Sequence, residues 1–516
     1  MGLESDHARR GRDTDRSDQP CELGGCYREA HERKGGVRMT TTLELEPISD
    51  ELSSVARSVV WNAWNRATAK DKFNRFRLYR DGLAGIPDVK DGSSDEIEEL
   101  AKMSVRNVCG VVVDTFLRGL SCVGFRSPAS DDDDNGWAWW QKHNLDARQA
   151  EVHDAALTYG FSFVSVLPDD EKEPVPATWT PRNVIAEWDD PRVDLFPVSA
   201  MLIRDVTTPL LGRGWSVLFI DERLVQPAFI RAKTSKKADE AKSPTADDVI
   251  FTDEPWEHGA TYGGVPVCPV VRFVNERTAE DRDPRGEVEP LIQAQRAINS
   301  VNFDRLVTSR FSAFRQKVVI GWAATAEEVA RASAADVWAF PDHPADVKVD
   351  SLAASPIGPY DALLREMTEQ VALQAGIPLH QATGNLSNVS TETAALAESA
   401  HQRKLLLKRE SFGESWEQVL RLAVEMSGGD APDEAAEMVW RETEARSFGA
   451  VVDGMVKLAQ LDNGVPIEEL LDLIPGMTQQ RITAVRDAMR RRRLTSQLSA
   501  LGIAAAAQPD EPPTEG

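Results

Sequence analysis

The sequence predicts a helix-rich α+β protein. Short alternating runs such as WSVLFIDE, PAFIRAK, DVIFTDE and VPVCPVVRFVN crowd residues 176–275, where they read as strands split by turns. From Glu287 onward the apolar residues instead recur every three or four positions over long stretches, which is the period of a helix. The 516 residues allow two to four domains or one large irregular one, and 41 % hydrophobic residues suffice for a real core.

The elements follow in chain order. Residues 1–38 have almost no apolar periodicity and are expected to be disordered. Lys34-Gly35-Gly36 just before Met39 suits a purine-rich ribosome-binding sequence at the codon level, so Met39 is the expected start and 1–38 is set aside as a leader. Over 49–82, Leu52, Val55, Val59 and Ala63 fall at helical spacing, and a Gly/Pro/Asp loop covers 83–94. Ser93 opens a Ser-Ser-Asp-Glu capping box with Glu96. Behind it Ile97, Ala101, Val105, Val108, Val112 and Phe116 predict one amphipathic helix ending near Gly119. DDDDNGWAWW lacks the ligand order and closing Glu of an EF-hand, so it reads as a solvated loop, with Trp137, Trp139 and Trp140 as core anchors. A helix over 144–160 stops at Gly160, and FSFVSVLP follows as a strand. Pro266 and Pro269 suggest an edge strand or a strand entry, and KTSKKADEAKSPTADD a solvated hairpin tip.

The second half is mostly helical. GEVEPLIQAQRAINSVNFDRLV opens a helix that runs to about Phe314, and its polar face is rich in amides and charges: Gln293, Gln295, Arg296, Asn299, Asn302, Asp304 and Arg305. An insert of strand, short helix and strand covers 318–356, and a second helix spans 357–375. GIPLHQATGNLSNVS breaks it, and a very long helix follows over 392–428. Residues 443–494 read as helices punctuated by Gly464-Val465-Pro466 and Pro475-Gly476, and 495–516 as a disordered tail.

Charge and motifs narrow the function. A net charge of −24 makes non-specific gripping of DNA by bulk charge a poor reading, although DNA can still be handled without being held. Five scattered cysteines make no disulfide framework, and the chain reads as intracellular in origin, with no transmembrane run and no signal peptide. No phosphate-binding loop, dinucleotide fingerprint, nucleophile elbow or HExxH pair is present, so neither an enzyme nor a cofactor is expected. Cys21, Cys26 and His31 are loosely zinc-like in spacing but lack a fourth ligand. Arg490 to Arg493 read either as a basic contact patch or as charge favoured at a helix C-terminus.

Several passages together resemble the bacteriophage portal proteins, in particular the actinobacteriophage group related to the Gp6-like portals. They are RFRLYRDG ending at Gly82, VVVDTFLRGLSCVGFR (111–126), WQKHNLDARQAEVHDAALTYGFSFVSVLP (140–168) and GGVPVCPVVRFVN (263–275). The helix from 286, the stretch QAGIPLHQATGNLSNVSTETAALAESAHQRKLLLKRESFGESW (374–416) and GVPIEELLDLIPGMTQQRI (464–482) complete the order. The resemblance spans roughly 50–490; the early turn has Tyr79-Arg80 where the family has a double Tyr.

The resemblance implies the portal fold: a mixed α/β wing (39–285), a first stem helix (286–317), a small α/β clip (318–356), a second stem helix (357–375), a tunnel loop (376–391), the long helix (392–428) and a helical crown (429–494). It implies a ring, a dodecamer in the virion, at one capsid vertex, assembled in the host bacterial cytoplasm. Double-stranded DNA would pass through the ring without sequence specificity during packaging and ejection. Expected partners are major capsid and scaffolding proteins, the terminase large subunit and, after packaging, a head–tail adaptor; no membrane is involved. An alternative is another structural head component, such as a minor head protein. On this reading His380, Gln381, Thr383, Asn385 and Asn388 are tunnel-loop candidates for DNA contact, with His380 able to add a pH-dependent charge. Gln295, Asn299 and Asn302 are expected to bond between subunits without burying charge, and Trp338, Phe340 and Asp342 to meet docking partners on the clip.

Overall fold

The computed structural model describes residues 71–126, 134–208, 212–232, 248–279, 283–313, 317–320, 348–351, 355–383, 391–429, 435–441, 448–460 and 479–506, with single residues 466, 471 and 474. All lie in the unit Val55–Gly516. In chain order the first part holds α1 (Asp71–Arg80), α2 (Asp95–Met103), α3 (Val108–Leu117), β1 (Cys122–Arg126), α4 (Asp134–Lys142) and α5 (Leu145–Tyr159). The strands β2 (Phe161–Pro168), β3 (Pro174–Trp179), β4 (Val184–Glu187), β5 (Ser199–Thr208), β6 (Gly212–Ile220), β7 (Leu224–Arg231), β8 (Val249–Phe251), β9 (Trp256–Glu257), β10 (Thr261–Tyr262), β11 (Val265–Pro266) and β12 (Val270–Val274) follow. A 3-10 turn at Glu289–Leu291 leads into α6 (Ile292–Ala313), then β13 (Lys317–Ile320), β14 (Lys348–Ser351), α7 (Gly358–Ala375), α8 (Leu379–Thr383) and α9 (Thr391–Met426). The described chain closes with β15 (Glu437–Trp440), α10 (Phe448–Ala459) and α11 (Gln479–Ala506). The fold is α+β, with its strands paired antiparallel.

Two sheets make up most of the β structure. The larger follows the path β4-β5-β6-β7-β8, with β9 also pairing to β7. The smaller is β12-β2-β3, which places the proline-preceded β12 at an edge as expected. β2 is central in it and buried on both faces, so its serines need partners: Ser162 Oγ donates to Val152 O at 2.8 Å, and Ser165 Oγ accepts from Trp179 Nε1 at 2.9 Å. The long helix α9 packs on β12 and α4, and the main core sits there. Trp140 and Trp416 meet edge to face at 4.8 Å, beside Phe412 and Phe273. Each such fully buried ring contributes roughly 1.5–3 kcal/mol through apolar burial.

The turn from α5 to β2 shows why glycine stands there. Gly160 has φ +101° and ends α5 by donating to Ala156 O at 2.8 Å. A Cβ at this position would lie 2.1 Å from Pro284 O. The chain just before the 3-10 turn therefore runs directly against the glycine backbone.

Several expectations are corrected. The single helix predicted over 97–116 is two, α2 and α3, because Ser104–Asn107 leaves the helical path. Asn107 caps α3 instead, its side chain accepting from Gly110 N at 2.8 Å. The Ser93 capping box does not form: Ser94 is the N-cap, with no side-chain cap bond. The tryptophans read as part of a loop sit on α4, where Trp137, Trp139 and Trp140 are all buried, as core anchors should be. β15, unpredicted, pairs with β1. α11 continues to Ala506, through residues expected to be a disordered tail, so Arg490 to Arg493 are mid-helix and not at a C-terminus. Residues 1–70, the hairpin tip at 233–247 and the interior of the insert at 321–347 lie outside the described residues. No described helix is long and apolar enough to cross a membrane.

Candidate functional site: the junction of the paired helices

α6 and α7 pack side by side and bracket the antiparallel pair β13–β14. What ties this helix pair to the rest of the fold lies at the ends of the helices. Glu287, buried just ahead of the 3-10 turn, donates its backbone N–H to Leu157 O at 2.7 Å. Its carboxylate accepts from Lys408 Nζ at 2.6 Å on one oxygen and from Lys404 Nζ at 2.8 Å on the other. Lys408 also donates to Asn275 Oδ1 at 2.6 Å, and Asn275 Nδ2 donates to Arg285 O at 2.9 Å and to Glu287 at 3.1 Å. Lys404 donates to Ala375 O at 2.9 Å, on the last residue of α7. His401 Nδ1 approaches Gly376 O at 3.3 Å.

One face of α9 thus holds the start of one paired helix and the end of the other, since 401, 404 and 408 are i, i+3 and i+7. Burial pushes the Glu287 carboxyl up, but Lys408 and Lys404 outweigh it and hold it down at about 2. Both ammonium groups also lie 4.9 Å from the centroid of the Phe116 ring, a cation–π placement. A carboxylate taken out of water between two ammonium groups is the arrangement a buried ion pair needs to be tolerated.

Beyond the junction the chain turns into the segment predicted as the tunnel loop. Gly376, φ +71°, caps α7, and the segment begins with the short helix α8. α8 packs against α3 and α7. Together with α6 they enclose a cleft of about 520 Å³, lined among others by Arg106, Arg305, Arg365, His380 and Thr383. Arg305 pairs with Asp361 and Arg365 with Glu369, each at 3.0 Å. Arg305 Nε is buried without a hydrogen-bond partner among the described residues. His380 and Thr383 thus share one cleft, and Gln381 lies on the same short helix. Asn385 and Asn388 fall outside the described residues, as do Trp338, Phe340 and Asp342.

The three amides of α6 each bond backbone groups within the chain. Gln295 Oε1 accepts from Val108 N at 2.8 Å and Cys109 N at 3.2 Å, and its Nε2 donates to Arg106 O and to Asn299 Oδ1. Asn299 accepts from Arg106 N at 3.0 Å and donates to Gly85 O at 2.9 Å. Asn302 donates to Ser104 O at 2.7 Å. All three are buried. Within the chain the amides serve the backbone groups left unpaired where α2 and α3 part.

Sequence reasoning missed Glu287, Lys404, Lys408 and Asn275. The only signal was two lysines spaced i, i+4 around three leucines in KLLLK. Glu287 was hidden among 83 acidic residues.

The comparisons agree with the resemblance. The family profile "Phage portal protein, SPP1 Gp6-like" matches residues 82–208 and 227–491. The portal protein of Mycobacterium phage D29 is 25 % identical over 375 residues, covering 68 % of this chain and 72 % of that protein. The portal protein of Mycobacterium phage L5 is 24 % identical over 408 residues, covering 73 % and 76 %. With most of its length matched, from the first turn after α1 to the arginine run of α11, the chain belongs to the SPP1 Gp6-like family of phage portal proteins.

Proposed function

We propose that this chain assembles into the ring-shaped channel at one capsid vertex, a dodecamer in the virion, through which double-stranded DNA is packaged and later ejected. The observation that supports this is the clamped pair α6 and α7, which brackets the β13–β14 pair. A helix pair fixed in this way would let a channel present one docking surface per subunit. The terminase large subunit would dock there during packaging and a head–tail adaptor afterwards, with major capsid and scaffolding proteins around the ring. Trp338, Phe340 and Asp342 are the proposed docking residues. His380, Gln381, Thr383, Asn385 and Asn388 are the proposed sliding contacts to DNA, small or uncharged groups that can touch phosphates without holding them.

The test is negative-stain electron microscopy of the purified chain, with light scattering for mass. Rings with an axial hole wide enough for a duplex are expected, together with incorporation into co-expressed procapsids. A persistent monomer that also fails to enter procapsids would overturn the reading.

A further inference from the structure

The arginine run of α11 is unused by anything above. α11 carries six arginines, at 481, 486 and 490–493, and a single acidic residue, Asp487. The whole chain, by contrast, has a net charge of −24. Ile482 is buried near the start of the helix, which packs against β1, but every residue from Arg490 to Ser496 is exposed. Four consecutive residues on a helix point in four directions about 100° apart, so the guanidinium groups surround the axis. Arg486 and Arg490 stand at i, i+4 and Arg490 and Arg493 at i, i+3, so the positive charge is concentrated along this stretch. Helix-dipole stabilisation acts only within the last turn, and α11 runs on to Ala506.

We infer that the exposed stretch Arg490–Ser496 of α11 binds the phosphodiester backbone of duplex DNA, as a salt-sensitive contact separate from the sliding loop. The inference rests on the portal reading for the presence of DNA, but not for the chemistry. A guanidinium fork matches phosphate oxygens two at a time, and does so without regard to base sequence. Charge presented around the whole helix suits an extended polyanion better than one flat complementary face. Between Arg490 and Ser496 the only apolar side chain is Leu494, whereas a subunit interface needs a core depleted of charge. The helix also continues beyond residue 491, where the family match ends.

The measurement is binding of a fluorescein-labelled duplex to the full-length assembled chain, by anisotropy, across a range of salt. Replacing Arg490, Arg491, Arg492 and Arg493 by Gln should make the slope of log K against log salt shallower by about 0.9 for each arginine that neutralised a phosphate. The same four positions as Lys should keep the slope. An unchanged slope in the Gln variant, with rings still formed, overturns the inference and leaves the portal reading standing. A second readout leaves the arginines intact: a benzoylphenylalanine photocrosslinker introduced at Ser496, which is exposed. Adducts to DNA support the inference. Adducts only to a neighbouring copy overturn it and assign the helix to a subunit contact. Failure of the unsubstituted chain to form rings at all is the separate failure of the portal reading.

Discussion

Lys408 Nζ lies 2.6 Å from Glu287 Oε1 across 121 positions of sequence, with both side chains almost fully buried. The pair links the long helix to the start of the first paired helix, and Lys404 extends the link to the end of the second. Removing one partner strands the other in a low-dielectric site. Lys408→Met should therefore cost about 3–5 kcal/mol in urea denaturation. The double variant Glu287→Gln with Lys408→Met should cost clearly less than the sum of its parts, because it removes both charges. Simple additivity would show that the two do not act as a pair.

The same carboxylate sets a pH dependence. Its folded value of about 2 lies below the ordinary 4.5, so the unfolded chain takes up the proton first as pH falls. The stabilisation from Glu287 is complete above pH 4.5 and is lost as the pH falls towards 2. A series of denaturation curves across that window should show the decline in the parent chain and a flatter profile in Glu287→Gln.

His153 titrates in a different window. It is fully buried, stacks on Phe412 at 5.1 Å, and accepts from Trp416 Nε1 at 2.9 Å through Nε2. That leaves Nδ1 as the donor to Leu120 O, at 3.2 Å. Burial pushes this imidazole down to about 3, against the opposing pull of the Leu120 carbonyl. The unfolded histidine protonates near 6.5, so stability present above that pH is lost progressively between 6.5 and 3. His153→Leu should flatten the profile in that range. It should also lower stability at pH 8 by about 1–3 kcal/mol, because Trp416 Nε1 loses its acceptor.

Gly160→Ala should be among the costliest conservative changes in the chain. The left-handed backbone alone costs an L-residue about 1–2 kcal/mol. The added Cβ would also press on Pro284 O, and backbone cannot swing aside as a flexible side chain can. Thermal melting should show a drop larger than that for Gly259→Ala. Gly259 has a comparable φ of +65° but nothing within 4 Å of the new Cβ. Equal losses at the two sites would mean that the approach of Pro284 contributes nothing.

The sequence made α6, α7 and α9 legible because their apolar periods are long and their ends carry breakers: Gly376 after α7 and Gly428 after α9. Gly160 announced the end of α5 for the same reason. What stayed hidden depended on partners distant in sequence. The break at Ser104–Asn107 lies inside an uninterrupted helical period and exists because Gln295 and Asn299, almost 200 positions away, bond the freed backbone. β15 is four residues long and has meaning only beside β1. The buried ion pair was illegible because a lysine on an apolar stripe looks the same whether it reaches solvent or finds a carboxylate.

That break gives the last prediction. Gln295 accepts from the N–H groups of Val108 and Cys109, which open α3 and have no intrahelical acceptor. Gln295→Ala leaves them without this partner, so the isolated chain should lose about 1–3 kcal/mol of stability. Gln295→Glu keeps an acceptor for both but turns a carboxylate towards Arg106 O and Asn299 Oδ1, two groups that the amide had been serving as donor. It should therefore also destabilise, despite its matching shape. Because the amide acts within one chain, ring mass by light scattering should be unchanged for whatever fraction stays folded. The opposite result, with stability unchanged and rings lost, would return Gln295 to a role between subunits.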